Sequence, residues 1–270
     1  MGAHRGSVIT SPYVYTGGTG EGAYDAIQSD VECNFHLALG KTPEEIKNVC
    51  VVGAHHGYEI IRMLQVYPNC VFYAFEPYPD HFSRLISWDI GRLVSQGDMI
   101  KGDYGNRFVC INKAVSNKRG EVDFFELDLG GSGSILKYKD GVDGLSIKEK
   151  ITVEATTLQE ELGDLDIDLL WVDVQGAELE VLKGADLSKC KSLFLEIRIT
   201  EFDRLKRLKE NLQQPHWRIS NLEPKIEGKY KGECSLEDLE VHLKGRFDLG
   251  WMGIDFLNGE GNSLWLNGAM

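Results

Sequence analysis

Apolar residues fall into two kinds of run along this chain. Some runs are short and continuous: Val49 to Gly53, Cys70 to Phe75, Phe108 to Val115, Asp166 to Val174 and Ser192 to Ile199. Such runs predict strands buried on both faces, as parallel sheets require. Others recur at helical spacing. Tyr58 to Val66 carries Ile60, Ile61 and Leu64, and Pro68 stops it. His81 to Val94, Leu158 to Leu162, Gly176 to Lys183 (stopped by Gly184) and Glu201 to Leu212 predict further helices. Residues 23–40 have a weak helical pattern ending in Gly40, and Thr42-Pro43-Glu44-Glu45 predicts a capped short helix before the first strand. Glu121 to Leu127 and Ile151 to Thr157 read as additional strands, joined by a Gly-rich polar loop over 129–144. WMGIDFLN and NSLWLN, around Gly259-Glu260-Gly261, predict a closing hairpin. Residues 213–250 carry no readable motif. The alternation of strands and helices predicts a doubly wound α/β sheet, in which ligands sit beyond the carboxyl ends of the strands. No repeat or linker interrupts it. A single domain is therefore expected over 23–270, with an N-terminal helical extension, behind a flexible arm over 1–22.

Composition narrows the function classes. The 270 residues are 42% hydrophobic and 26% charged, as in a globular domain. A net charge of −13 argues against a broad nucleic-acid-binding face. No run has the length of a membrane span, and the first residues lack a signal-peptide pattern, so a cytoplasmic location is expected. The six cysteines form no CxxC pair and no zinc spacing. They predict free thiols in a reducing compartment. No clear metal-ligand set is visible, so no metal is expected; Asp173 and nearby acids are the candidates for a hard cation.

The stretch NVCVVGAHHGYEIIRMLQVYPNCVFYAFE reads as strand, glycine turn, helix and strand. Its turn, Gly53-Ala54-His55-His56-Gly57, is a GxxxG. The dinucleotide fingerprint wants a middle glycine where a pyrophosphate approaches the backbone, and His55 stands there. That disfavours a nicotinamide or flavin dinucleotide. Glu76, at the end of the second strand, stands where an acid accepts both hydroxyls of a ribose. Together these features predict an adenosine ligand without a diphosphate, with S-adenosyl-L-methionine the leading candidate.

The chain resembles the FkbM-type S-adenosylmethionine-dependent methyltransferases. VVGAHHGYE, VFYAFEPYPDHFSRL, VCINKAVSNKRGEVDFF, TTLQEEL, IDLLWVDVQGAELEVLKGA and LFLEI carry the resemblance, in the family's order, over roughly residues 49–198. It implies a class I methyltransferase (Rossmann-like) seven-stranded sheet with an antiparallel last strand. It also implies O-methylation of a small-molecule hydroxyl, with a carbohydrate or natural product as acceptor. By position, Gly53, His55, Gly57, Glu76, Pro77, Ala114 and Asp173 would hold the cofactor, with Asn112-Lys113-Ala114 near the adenine. The chain departs from the family pattern at Val51 (usually Asp), His55 (usually Asn), Trp171 (usually Lys) and Gln175 (usually Glu). Val51 and Gln175 motivate a second reading, a catalytically weakened cofactor-binding partner or regulatory module.

Methyl transfer to an alcohol requires a group that removes a proton. The candidates are Asp173, Glu178 and Glu196, with His55 and His56 behind them. Asp173 closes an apolar strand and Glu178 opens the next helix. Glu196 lies in LFLEI, where it either pairs with a base such as Arg198 or faces the site. The Gly130-to-Ser134 segment is expected either as a lid or as a solvated loop.

Overall fold

The computed structural model describes residues 14–15, 32–87, 107–128, 131–139, 144–198, 228–255 and 260–268. The expected helix Glu201 to Leu212, the far end of the helix begun at His81, Gly130 and most of the expected arm lie outside them.

Among the described residues the main sheet has eight strands. In chain order they are β1 (Val14–Tyr15), β2 (Asn48–Val52), β3 (Val71–Phe75), β4 (Phe108–Ile111), β8 (Leu169–Val172), β9 (Ser192–Arg198), β10 (Phe247–Asp255) and β11 (Glu260–Asn267). The spatial order is β1-β10-β11-β9-β8-β2-β3-β4. Strands β4, β3, β2, β8 and β9 are mutually parallel, and β11 runs antiparallel to both β9 and β10. Seven of these strands make the expected sheet with its antiparallel last strand, and β1 adds a two-residue edge in parallel with β10. β1 thus places a paired segment inside the span expected as a flexible arm.

Helices cover both faces of this sheet, which explains the continuous apolar runs. On one face lie Val49, Val51, Leu169, Trp171 and Phe194, together with Phe35 of α1 (residues 32–38), Ile60, Met63 and Leu64 of α2 (Tyr58–Val66), and Leu85 of α3 (Pro79–Ser87). On the other lie Cys50, Val52, Leu170, Val172, Leu193 and Leu195. They pack on Leu158 of α4 (Leu158–Leu162), Val181 and Leu182 of α5 (Glu178–Lys183), and Leu236, Leu239 and Leu243 of α6 (Leu236–Leu243). Each such side chain contributes about 1.5–3 kcal/mol on burial.

Two expectations change. The run Phe108 to Val115 is not one strand. Asn112 Nδ2 donates to the carbonyls of Glu76 and Pro77, and the Lys113 ammonium reaches Glu154 and Glu161. The chain turns out of the main sheet there, and β5 (Ala114–Val115) joins a second sheet, ordered β5-β7-β6, with β6 (Gly120–Leu127) and β7 (Ile147–Thr156). Within 213–250, α6 begins at a capping box, with Ser235 Oγ accepting from Asp238 N–H and Asp238 accepting from Ser235 N–H. That S-x-x-D signal stood in the sequence.

Candidate active site

The site lies at the carboxyl ends of β2, β3 and β8, where the sheet changes direction. Asp173 N–H donates to Val52 O at 3.0 Å, and Gly53 and Ala54 N–H both donate to Phe75 O. This stitching brings the three strand ends together. Gly53 has φ 83°, and a Cβ there would stand 1.8 Å from the carbonyl oxygen of Asp173. Only glycine fits so close an approach. Gly57, at φ 77°, precedes α2. His55 adopts φ 47°, a left-handed conformation that costs a non-glycine residue about 1–2 kcal/mol.

Glu76 follows β3 and is buried. Its Oε2 accepts from His55 N–H and its Oε1 from Tyr78 N–H, each at 2.8 Å. Burial, helped by the nearby carboxylates of Glu126 and Asp173, still pushes its pKa up to about 7 against the two donors.

These strand ends open on a cavity that is continuous with solvent. Gly53, Glu76, Pro77, Ala114 and Asp173, all named from the sequence, line it. His55 and Gly57 shape the turn but do not line the cavity. Its far wall comes from the second sheet and the Gly-rich loop, through Phe124, Gly133, Ser134 and Ile135. No local pattern marks Phe124 as a cavity wall, because its position depends on the pairing of β6 with β7 in the second sheet. The loop is held at several points. Ser134 Oγ donates to Val174 O and Tyr230 OH donates to Ser132 O.

The three candidate bases separate. Gln175, at φ 55°, donates its amide to Asp173 Oδ1 at 2.8 Å and to Glu196 Oε2 at 2.7 Å. Glu196 is buried and turned toward this cluster. Asp173 and Glu196 are therefore joined by one side-chain amide beside the cavity. Glu178 is turned away from it. Its Oε1 accepts from Val174 and Gly176 N–H, and its Oε2 lies 3.4 Å from Cys234 Sγ. Burial raises its pKa. Glu178 holds the turn after β8.

Beyond Glu76 stand three histidines. The rings of His55 and His56 stack at 3.7 Å between centroids, and His81, on α3, meets them edge-on at 4.2 and 5.1 Å. Burial lowers all three. His55 falls to about 3, with further push from His81, His56 and Arg84, and His81 to about 4. All three are uncharged at neutral pH.

The sequence pattern of the Methyltransferase FkbM domain matches residues 52–215. The chain belongs to the FkbM methyltransferase family. A relative, the 2-O-methyltransferase NoeI of Sinorhizobium fredii (strain NBRC 101917 / NGR234), is 29% identical over 172 residues, which make up 59% of this chain and 65% of that protein. Among solved structures, methyltransferase FkbM from Methylobacillus flagellatus KT is 12% identical, with a TM-score of 0.47 over 82% of this chain and 43% of that one. The magnesium protoporphyrin IX methyltransferase (ChlM) of Synechocystis PCC 6803, solved with bound SAH, is 13% identical, with a TM-score of 0.45 over 94% and 90%. This family member thus spans just under two thirds of NoeI and under half of the Methylobacillus chain.

Two departures from the FkbM pattern fall opposite each other. Val51 and Trp171 are register partners on β2 and β8, and both are buried. Trp171 stacks on Phe194 at 3.8 Å. Neither side chain lines the cavity.

Proposed function

We propose that this chain is an S-adenosylmethionine-dependent methyltransferase acting on a hydroxyl of a small, uncharged or cationic acceptor, with carbohydrates first among the candidates. The observation that carries the reading is the cavity at the ends of β2, β3 and β8, with the glycine turn on one side and the Glu76 carboxylate on the other. Each Glu76 oxygen accepts one backbone N–H. A carboxylate has lone pairs beyond those two, so it has room for a ribose diol. The methyl donor would supply an electrophilic methyl group on a sulfonium centre. Gly53, Glu76, Pro77 and Ala114 would hold it.

The protein's own part is to orient the acceptor oxygen and take its proton. Asp173 lines the cavity and is the proposed base. Gln175 fixes the Asp173 carboxylate and ties it to Glu196, so that the carboxylate need not reorient during proton transfer. Oxygen as the acceptor atom is supported by the relative NoeI, named a 2-O-methyltransferase. The net charge of −13 disfavours polyanionic acceptors.

A calorimetric titration with S-adenosylmethionine and its demethylated product tests the first half. Dissociation constants between about 1 µM and 1 mM are expected. Absence of heat at about 1 mM would remove the cofactor assignment. Transfer of labelled methyl from S-adenosylmethionine to a panel of polyhydroxylated acceptors tests the second half. Binding without transfer to any of them would favour the partner-module reading.

A further inference from the structure

We infer that His55, His56 and His81 form a site for a divalent transition-metal ion of the zinc, cobalt or nickel class. Each ring offers one nitrogen, and the three nitrogens lie within 4.8 Å of one another. Among the described residues no other group of histidine, cysteine and acidic side chains comes together in this way. Metal–nitrogen bonds of about 2.0–2.1 Å in a tetrahedral site put ligand nitrogens about 3.4 Å apart. Ring rotations about the side-chain bonds that shift each nitrogen by about 1 Å close that gap. Imidazole donors suit late first-row divalent ions, whereas calcium and magnesium prefer oxygen.

Two independent features point to a cation here. Glu126 is buried at 1% exposure, and its Oε2 makes no hydrogen bond. Its Oε1 lies 3.5 Å from His81 Nε2. A buried carboxylate against a histidine ring is the arrangement that orients a metal-bound imidazole. An ion between the rings would place a positive charge beside this buried carboxyl. The second feature is His55 itself. It holds a left-handed backbone conformation within the turn, although glycine or asparagine relieves such a conformation more easily. That conformation places its ring on His56 and against Gly131, where an added Cβ would lie 3.3 Å from the imidazole.

The surroundings allow access. His56 Nε2 lies 3.4 Å from a guanidinium nitrogen of Arg84, an exposed residue. The lone pair facing Arg84 is the one an ion would take, and Arg84 is free to swing into solvent. The cluster borders Glu76, whose Oε1 is 3.8 Å from His81 Nδ1. It does not line the cofactor cavity. The inference therefore stands apart from the methyltransferase reading, and its readout is metal binding alone.

The test uses the full chain without a polyhistidine tag, stripped by chelator and desalted. Cobalt(II) is titrated in and followed by its visible ligand-field absorption, and zinc(II) is then used to displace it. One ion per chain is expected. His55→Ala, His56→Ala and His81→Ala should each weaken binding at least about tenfold, because loss of even an outer-sphere partner does as much. Glu126→Gln should weaken it by less. His242→Ala, on α6 away from the cluster, should change nothing. Circular dichroism of each variant separates lost binding from lost folding. If His81→Ala does not fold, the partly exposed His56→Gln serves in its place. No uptake of cobalt or zinc at about 0.1 mM would overturn the inference. So would wild-type affinity in the triple variant, or a near-ultraviolet thiolate band showing that cysteines hold the ion.

Discussion

Lowering the pH from 8 to 6 should weaken binding of the demethylated cofactor by about tenfold. The group responsible is Glu76, raised to about 7 chiefly by burial and further by Glu126 and Asp173. At pH 8 about nine-tenths of this carboxyl is ionised, and at pH 6 about one-tenth. Ribose hydroxyls donate to the ionised form and so favour it. If the protonated form binds negligibly, the ionised fraction alone sets the change, which corresponds to about 1.4 kcal/mol. His55 and His81 titrate near 3 and 4 and stay silent in this window. The ligand-free fold should show the opposite slope. The folded carboxyl binds a proton up to about 7, whereas an unfolded one releases it near its ordinary value of 4.5. The folded state thus holds more protons between these values, and Glu76 makes it less stable as pH rises through them, by about 3 kcal/mol in all. Calorimetry at pH 6, 7 and 8 in chelator-treated buffers of different ionisation enthalpy measures both affinity and proton release. A dissociation constant flat within about twofold, or an equal slope in Glu76→Gln, would refute the argument.

Three further outcomes are expected. Asp168 is buried at the opposite end of the sheet. Burial pushes its pKa up, but Lys191, Lys41 and the N–H groups of Lys47 and Asn48 together hold it below the usual range. Asp168→Ala should destabilise by about 3–5 kcal/mol, lowering Tm by roughly 6–20 °C, with cofactor affinity unchanged by calorimetry. Val51→Asp alone should destabilise by a similar amount in urea, because it buries an unpaired carboxylate, and Trp171→Lys in the same chain should recover part of the loss, as a double-mutant cycle would show. Gln175→Ala removes two charge-assisted hydrogen bonds and should lower kcat by about ten- to a hundred-fold in a methyl-transfer assay, leaving cofactor binding intact.

Much of the fold was legible because both faces of the main sheet are covered. Val49 to Gly53 and Leu169 to Val172 read as strands from apolar content alone, and the Gly53 turn and Glu76 followed from their places at strand ends. The break at Asn112 was not legible. It depends on Asn112 reaching the carbonyls of Glu76 and Pro77, a contact distant in sequence. Without that break the second sheet stays hidden, and with it Phe124 as a wall of the cavity. Glu178 opens a helix near Asp173, and its carboxylate satisfies the N–H groups of Val174 and Gly176. The histidine cluster was half visible. His55 and His56 are adjacent, but His81 joins them only because α3 folds back over the turn, and no short-range spacing encodes that.

The place of β11 has a consequence for how the chain is made. Among the described residues it is the last strand in chain order, yet it lies inside the sheet, between β9 and β10. Until residues 260–267 have left the ribosome, β9 offers an unpaired apolar edge through Leu193, Phe194 and Leu195. Such an edge is a template for pairing with another chain. Nor does β10 have a place before then, and β1 pairs with β10. The outer third of the sheet therefore closes in one late step. A nascent chain stalled before residue 260 is the form of this protein most in need of a chaperone.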